Sequence, residues 1–184
     1  MQLLMICHGN ICRSPMAAVV TAALLAEAGL VGEFTVASAG TSAEHEGEDM
    51  DGRARAALAR RGWPAAAHRA RRLVPAMVEP GALVACADRA NLLAVERMSL
   101  DAEVTLLRRF DPDLHLDPDT RPTRTAGWDD DEIPDPWYGG RAAFDGALEI
   151  IEGACRGLVT ELGRALKAPF VWPRGDRGMS DTGA

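Results

Sequence analysis

The residues best suited to chemistry lie in one stretch near the start of the chain, Cys7-His8-Gly9-Asn10-Ile11-Cys12-Arg13-Ser14. A short apolar run, Leu3-Leu4-Met5-Ile6, precedes it and an Ala/Leu-rich stretch from Pro15 to Ala28 follows, so the order reads as strand, loop, helix. Such a loop ends at a helix N-terminus, where unsatisfied backbone N–H groups attract an anion. A cysteine held there ionises readily, with a pKa of ~3.5 to 7.5 where amide dipoles and a guanidinium favour the thiolate. Arg13 stands six positions after Cys7, and its planar fork matches two equatorial oxygens of a phosphoryl group. The C-x5-R-[S/T] spacing therefore predicts a nucleophile, Cys7, inside an anion cradle built by His8, Gly9, Asn10, Ile11, Cys12 and Ser14. Gly9 is expected to give close backbone approach or a positive φ, and Asn10 to hold the loop through side-chain bonds. Ser14 either caps the helix or donates to the Cys7 sulfur, and a stabilised thiolate leaves phosphorus more easily.

These residues need a framework that can hold them. A chain of 184 residues, 47% apolar, fits one domain with a full core. Its formal net charge of -7 argues against nucleic-acid partners, which call for a basic face. No run of 18 apolar residues occurs, and the opening lacks a basic leader, so a cytoplasmic protein with no membrane partner is expected. The four cysteines, Cys7, Cys12, Cys86 and Cys155, are too sparse for a disulfide framework and lack zinc-ribbon spacing. They read as free thiols, with no metal or cofactor.

Phe34 to Ala39, Ala82 to Ala87 and Val104 to Leu107 read as further strands. Between them Arg53 to Arg61 reads as a helix with Ala54 and Leu58 on one side, and Asp88 to Met98 as a helix with Leu92, Leu93 and Val95 as its apolar content. A right-handed crossover makes the first two strands parallel neighbours. From Phe110 to Trp137 the chain is rich in Asp and Pro and loses periodicity, as expected of a functional or lid-like loop. Its acidic run, Asp129 to Glu132, taken alone is an exposed face. Arg141 to Leu166 carries Phe144, Leu148, Ile151, Cys155, Leu158, Leu162 and Leu166 at helical spacing, a long amphipathic closing helix. Residues 1–166 are thus expected to form the domain, and 167–184 an extension that docks around Phe170 to Trp172 and then frays. Cys86 and Cys155 fall on apolar elements and read as core.

The opening M-I-C-H-G-N-I-C-R-S-P-M-A resembles the low-molecular-weight protein tyrosine phosphatase family, and the likeness continues through Ser38-Ala39-Gly40-Thr41, Asp51-x-Arg53, His68-Arg69-Ala70-Arg71, Asp88-Arg89-x-Asn91 and Ile133-Pro134-Asp135-Pro136-Trp137-Tyr138. The resemblance implies a three-layer α/β fold: a four-stranded parallel sheet flanked by helices, with the phosphate loop after the first strand. It implies metal-free hydrolysis of phosphotyrosine in a protein, or of a small aryl phosphate, through a phosphocysteine on Cys7. Arg13 would bind phosphate and Asp135 would act as general acid and then base, with Asp129 in reserve. Cys12 resembles the second loop cysteine of many members, which would trap an oxidised Cys7 as a disulfide.

Trp137 and Tyr138 would wall a slot for the phenyl ring. On the opposite wall the chain departs from the family, with Glu44 and then His45 where an aromatic is common. A carboxylate near a dianionic ester is unfavourable, so Glu44 either points outward or shifts preference towards basic flanking residues or another phosphoester. His45 reads as a loop-capping residue. Asp88 reads as an N-cap or a second-layer hydrogen-bonding partner with Asn91, and His68 as a tie between the loop and nearby acids. A monomer or weak dimer is expected. Thiol-dependent arsenate reduction is the rival enzymatic reading, although Cys86 lacks the relay partner that chemistry uses. A non-catalytic phosphoprotein-binding module, the third reading, would not require Cys7 or Asp135.

Overall fold

A computed structural model of the protein describes residues 1–114 and 131–167. The expected dock and tail beyond Lys167, most of the Asp/Pro-rich loop and Asp129 lie outside the described residues. Four parallel strands, β1 (Gln2–Cys7), β2 (Thr35–Gly40), β3 (Ala82–Cys86) and β4 (Ala102–Leu106), form one sheet in the order β2-β1-β3-β4. β1 and β3 are central and buried along their whole length. This accounts for their unbroken apolar runs, since a parallel strand covered on both faces gains nothing from alternation.

Successive side chains of β1 feed different cores. Leu3 and Met5 join the larger cluster with α1 (Arg13–Glu27), α2 (Gly52–Arg60) and α4 (Arg141–Ala165); Leu4 and Ile6 join the smaller one with Val95 of α3 (Arg89–Glu96). The three layers are those expected. Of the α4 residues singled out by periodicity, Phe144, Leu148, Ile151, Cys155, Leu158 and Leu162 are buried, whereas Leu166 lies past the helix end and is exposed. Leu93, part of the apolar content read for this helix, is also exposed, because α3 is short and offers the sheet only one stripe, centred on Val95. β4 starts and ends earlier than its apolar run suggests, and Leu107–Phe110 forms a 3-10 turn packed on α4.

That packing depends on a glycine. A Cβ at Gly157 would overlap the Phe110 carbonyl, while one at Gly146 would meet nothing. Gly157→Ala should therefore destabilise the protein by about 1–3 kcal/mol or more through overpacking, whereas Gly146→Ala should match or exceed wild-type stability through helix propensity. Paired thermal melts check the contrast. Among the described residues no helix is long and apolar enough to cross a membrane.

Candidate active site

The chain leaves β1 for β2 on one side and later crosses to β3 on the other, so the carboxyl end of β1 faces a crevice where strand order reverses. Open parallel sheets bind ligands at such a point. Cys7 ends β1, Gly40 ends β2 and Asp88 follows β3.

The loop after β1 turns its carbonyls away from the crevice because three other segments capture them. Cys7 O and His8 O accept from the amides of Thr41 and Ser42, and Ile11 O accepts from Asp51 N. Asn10 O accepts from His68 Nε2 at 2.7 Å. Among the described residues, the amides of His8, Gly9, Asn10, Ile11 and Cys12 donate to no protein acceptor. The positive φ falls on Asn10, at 57°, and not on Gly9; asparagine tolerates this region better than most residues. Gly9 is needed for space: a Cβ there would sit 2.7 Å from His45 Cδ2. Gly40 is needed likewise, since its Cβ would lie 2.5 Å from His8 O.

Asn10 is fully buried. Its Oδ1 accepts from Arg71 N, an obligate donor, which fixes Nδ2 as the atom donating to Ser14 Oγ and Ser38 Oγ, each at 2.9 Å. Ser14 does not cap α1, whose N-cap Cys12 has no side-chain bond. Its hydroxyl accepts from Asn10, lies 3.0 Å from Cys7 Sγ and 3.4 Å from Ala39 O, and so can turn its one proton to the sulfur or to that carbonyl. His68 thus ties the loop through a carbonyl rather than through its imidazole on an acid.

Arg13 is 3% exposed and joins three loops. Nη1 donates to Asp88 Oδ2 at 2.7 Å and to Ile133 O, and Nη2 donates to Asp135 Oδ2 at 2.6 Å. Burial opposes its charge, but Cys7, Asp135 and Asp88 more than offset that, holding its pKa above the ordinary arginine value. Its Nε is buried with no hydrogen-bond partner among the described residues. Asp88 fills both roles considered for it, capping α3 through Oδ1 on Asn91 N and binding Arg13 through Oδ2.

The segment carrying Asp135 is anchored by residues that sequence reasoning missed. Asp131, read within an exposed acidic run, is buried between Arg89 and Arg109 at 2.7 and 3.2 Å. Ile133 N donates to Ala87 O. Further along, Arg53 donates to the carbonyls of Trp137 and Gly139, lies 5.5 Å from the Trp137 ring centre, and pairs with Asp51, whose carboxyl it holds below the usual range. The lone hint in sequence was Arg53's place in the Asp51-x-Arg53 resemblance; for Asp131, an acid near the end of an otherwise polar run gave none.

Cys7, His8, Gly9, Ile11, Cys12, Arg13, Glu44, His45, Asp135, Trp137 and Tyr138 line one open cleft of about 150 Å³. Trp137 is half-buried, while Tyr138 is 97% exposed and contributes only the rim. His45 packs on Trp137, with ring centres 5.1 Å apart, and its Nδ1 meets Glu48. Cys12 is buried, and burial first, then Asp51, Cys7 and Asp135, push its thiol up to about 12.

A cysteine at the carboxyl edge of a parallel sheet, ringed by unpaired amides and backed by a buried guanidinium and a neighbouring carboxylate, is the arrangement of a cysteine-dependent phosphatase. The model of the low molecular weight phosphotyrosine protein phosphatase family matches residues 2–168, and the chain belongs to that family. It is 40% identical over 158 residues to a low molecular weight protein-tyrosine-phosphatase of Streptomyces coelicolor, covering 84% of this chain and 88% of the relative. It is 29% identical over 161 residues to the Homo sapiens low molecular weight phosphotyrosine protein phosphatase, covering 85% and 92%. A crystal structure of a protein tyrosine phosphatase from Entamoeba histolytica superposes with a TM-score of 0.75 at 26% identity, covering 90% of this chain and 99% of that one.

Asn10→Ala should leave Ser14, Ser38 and Arg71 N short of a partner and cost about 2–4 kcal/mol, seen as a lower Tm. Turnover by the remaining folded protein should also fall, because the loop loses its central tie.

Proposed function

We propose that Cys7 attacks the phosphorus of a phosphotyrosine, or of a small aryl phosphate, and forms a phosphocysteine while Asp135 protonates the departing phenolate. The observation that carries this reading is the ring itself: among the described residues, five loop amides and Arg13 Nε have no protein acceptor, and all belong to the loop that follows β1. Fixed donors of this kind stabilise the charge that spreads over the equatorial oxygens without reorganising during reaction. Ser14 stabilises the sulfur as leaving group in the second step, in which Asp135, now a carboxylate, takes a proton from the attacking water.

The two carboxylates on Arg13 differ in tethering. Asp88 is held by both Arg13 and the α3 amide and remains with the guanidinium. Asp135 is 39% exposed and bound by Arg13 Nη2 and Trp137 N. An arriving phosphoryl group competes for Nη2 and frees Asp135 to meet the leaving oxygen. Trp137 supplies the aromatic wall.

The rival readings fare worse. Arsenate reduction needs an accessible relay thiol, but Cys86 is fully buried in β3, outside the cleft lining, and burial raises its pKa. A pure binding module has no use for Cys7 and Asp135 in one cleft.

Steady-state hydrolysis of p-nitrophenyl phosphate without added metal tests the assignment. Cys7→Ser should abolish turnover, and retained turnover would overturn the role. Asp135→Asn should slow it by ~10²- to 10⁴-fold, with a larger loss on phenyl phosphate, whose leaving group needs the proton more.

Cys12 serves as a redox guard. With its thiol pushed up to about 12, it stays protonated at neutral pH and does not compete for phosphate. When peroxide converts Cys7 to a sulfenic acid, the Cys12 sulfur displaces the hydroxyl, the two sulfurs bond, and water leaves with the thiol proton. After peroxide treatment, dithiothreitol should restore activity to wild type but far less to Cys12→Ser, and equal recovery would exclude the role.

A further inference from the structure

We infer that Glu44 makes this active site prefer phosphotyrosines flanked by a basic residue, an inference that rests on the phosphatase reading above. Glu44 lines the same cleft as Cys7, Arg13 and Trp137, and its carboxylate is 66% exposed. Its ion-pair partner among the described residues is His8, at 3.6 Å and itself 58% exposed. With neutral His8 the carboxylate is uncompensated; with protonated His8 the pair is an exposed one and weak.

Among the described residues no other ion pair to Glu44 is formed. His45 turns its Nδ1 to Glu48 and its ring to Trp137, and Arg13 is committed to Asp88 and Asp135. Glu46 and Glu48, exposed on the same loop, add to the negative potential. The cleft lining therefore includes an aromatic ring, Trp137, and an anionic side chain, Glu44. Above a bound phosphate dianion an unpaired carboxylate repels the ligand, and a cation carried by the substrate at the rim relieves that repulsion. In a peptide the neighbours of the phosphotyrosine run across this rim, about 3.3–3.6 Å per residue, within reach of a lysine or arginine side chain.

The test uses the intact protein and three matched phosphotyrosyl peptides whose flanking residues are Arg, Ala or Glu, with p-nitrophenyl phosphate as a flank-free substrate. Wild type should rank them Arg, Ala, Glu in kcat/KM, with about a twofold to fivefold step between successive peptides, the scale of one exposed ion pair. Glu44→Gln should shrink the Arg-to-Glu ratio at least threefold, and Glu44→Arg should reverse the order. Glu46→Gln, two residues away and outside the cleft lining, controls for the overall negative charge and should leave the ratio near its wild-type value. An unchanged ratio in Glu44→Gln, or an equal change in Glu46→Gln, would overturn the inference while p-nitrophenyl phosphate hydrolysis leaves the phosphatase reading standing. Absence of p-nitrophenyl phosphate hydrolysis by wild type would overturn both.

Discussion

The site depends on the outward rotation of the carbonyls between Cys7 and Cys12. A loop that curls around an anion must aim its N–H groups inward, which sends the carbonyls outward into protein, where an unpaired oxygen is costly. Four outward carbonyls are met by three other parts of the chain: Cys7 and His8 by the residues after β2, Asn10 by His68, and Ile11 by Asp51 at the start of α2. The cradle is thus a product of tertiary assembly. The eight-residue stretch carries the chemistry but does not by itself contain the donors that hold it open.

Arg13 performs the second act of assembly. Its guanidinium gathers the loop after β3, through Asp88, and the returning segment, through Ile133 and Asp135. A buried arginine with one partner would be a poor bargain in desolvation; with two carboxylates and a carbonyl it becomes the knot that registers three loops on one sheet edge. Asp131 anchors the returning segment from behind through Arg89 and Arg109. Arg53 fixes it in front through the Trp137 and Gly139 carbonyls. Asp135 is held between two rigid attachments, although much of the preceding loop has no periodicity to predict.

What could be read in the sequence follows the range of each interaction. The strands, the closing helix and the cysteine loop announce themselves through local pattern, because burial on one or both faces constrains neighbouring residues together. The strand order depends on pairings such as Leu3 with Leu83, and Asn10 is held by Ser38 and Arg71, 28 and 61 positions away, so no window of sequence contains them. Asp131 shows the same limit from the other side. In a run of acids its type predicts solvent, and only the folding of Arg89 and Arg109 onto one point makes its burial affordable.

The four cysteines show why burial alone does not sort reactive from inert thiols. All four are buried. Cys155 hydrogen-bonds with Thr21 and the Ala17 carbonyl and is pushed up to about 12 by burial; Cys86, in the smaller core near Asp88 and Glu96, is raised as well. Cys12 shares the loop with Cys7 yet is also raised, by burial and then by the acids Asp51 and Asp135. Cys7 differs in its neighbours. A serine hydroxyl lies 3.0 Å from its sulfur, Arg13 lines the same cleft, and among the described residues the loop amides beside it have no protein acceptor. Donors and a cation on one side of a sulfur, with carboxylates kept on the guanidinium rather than on the thiol, separate a nucleophile from a core residue of the same type and similar exposure.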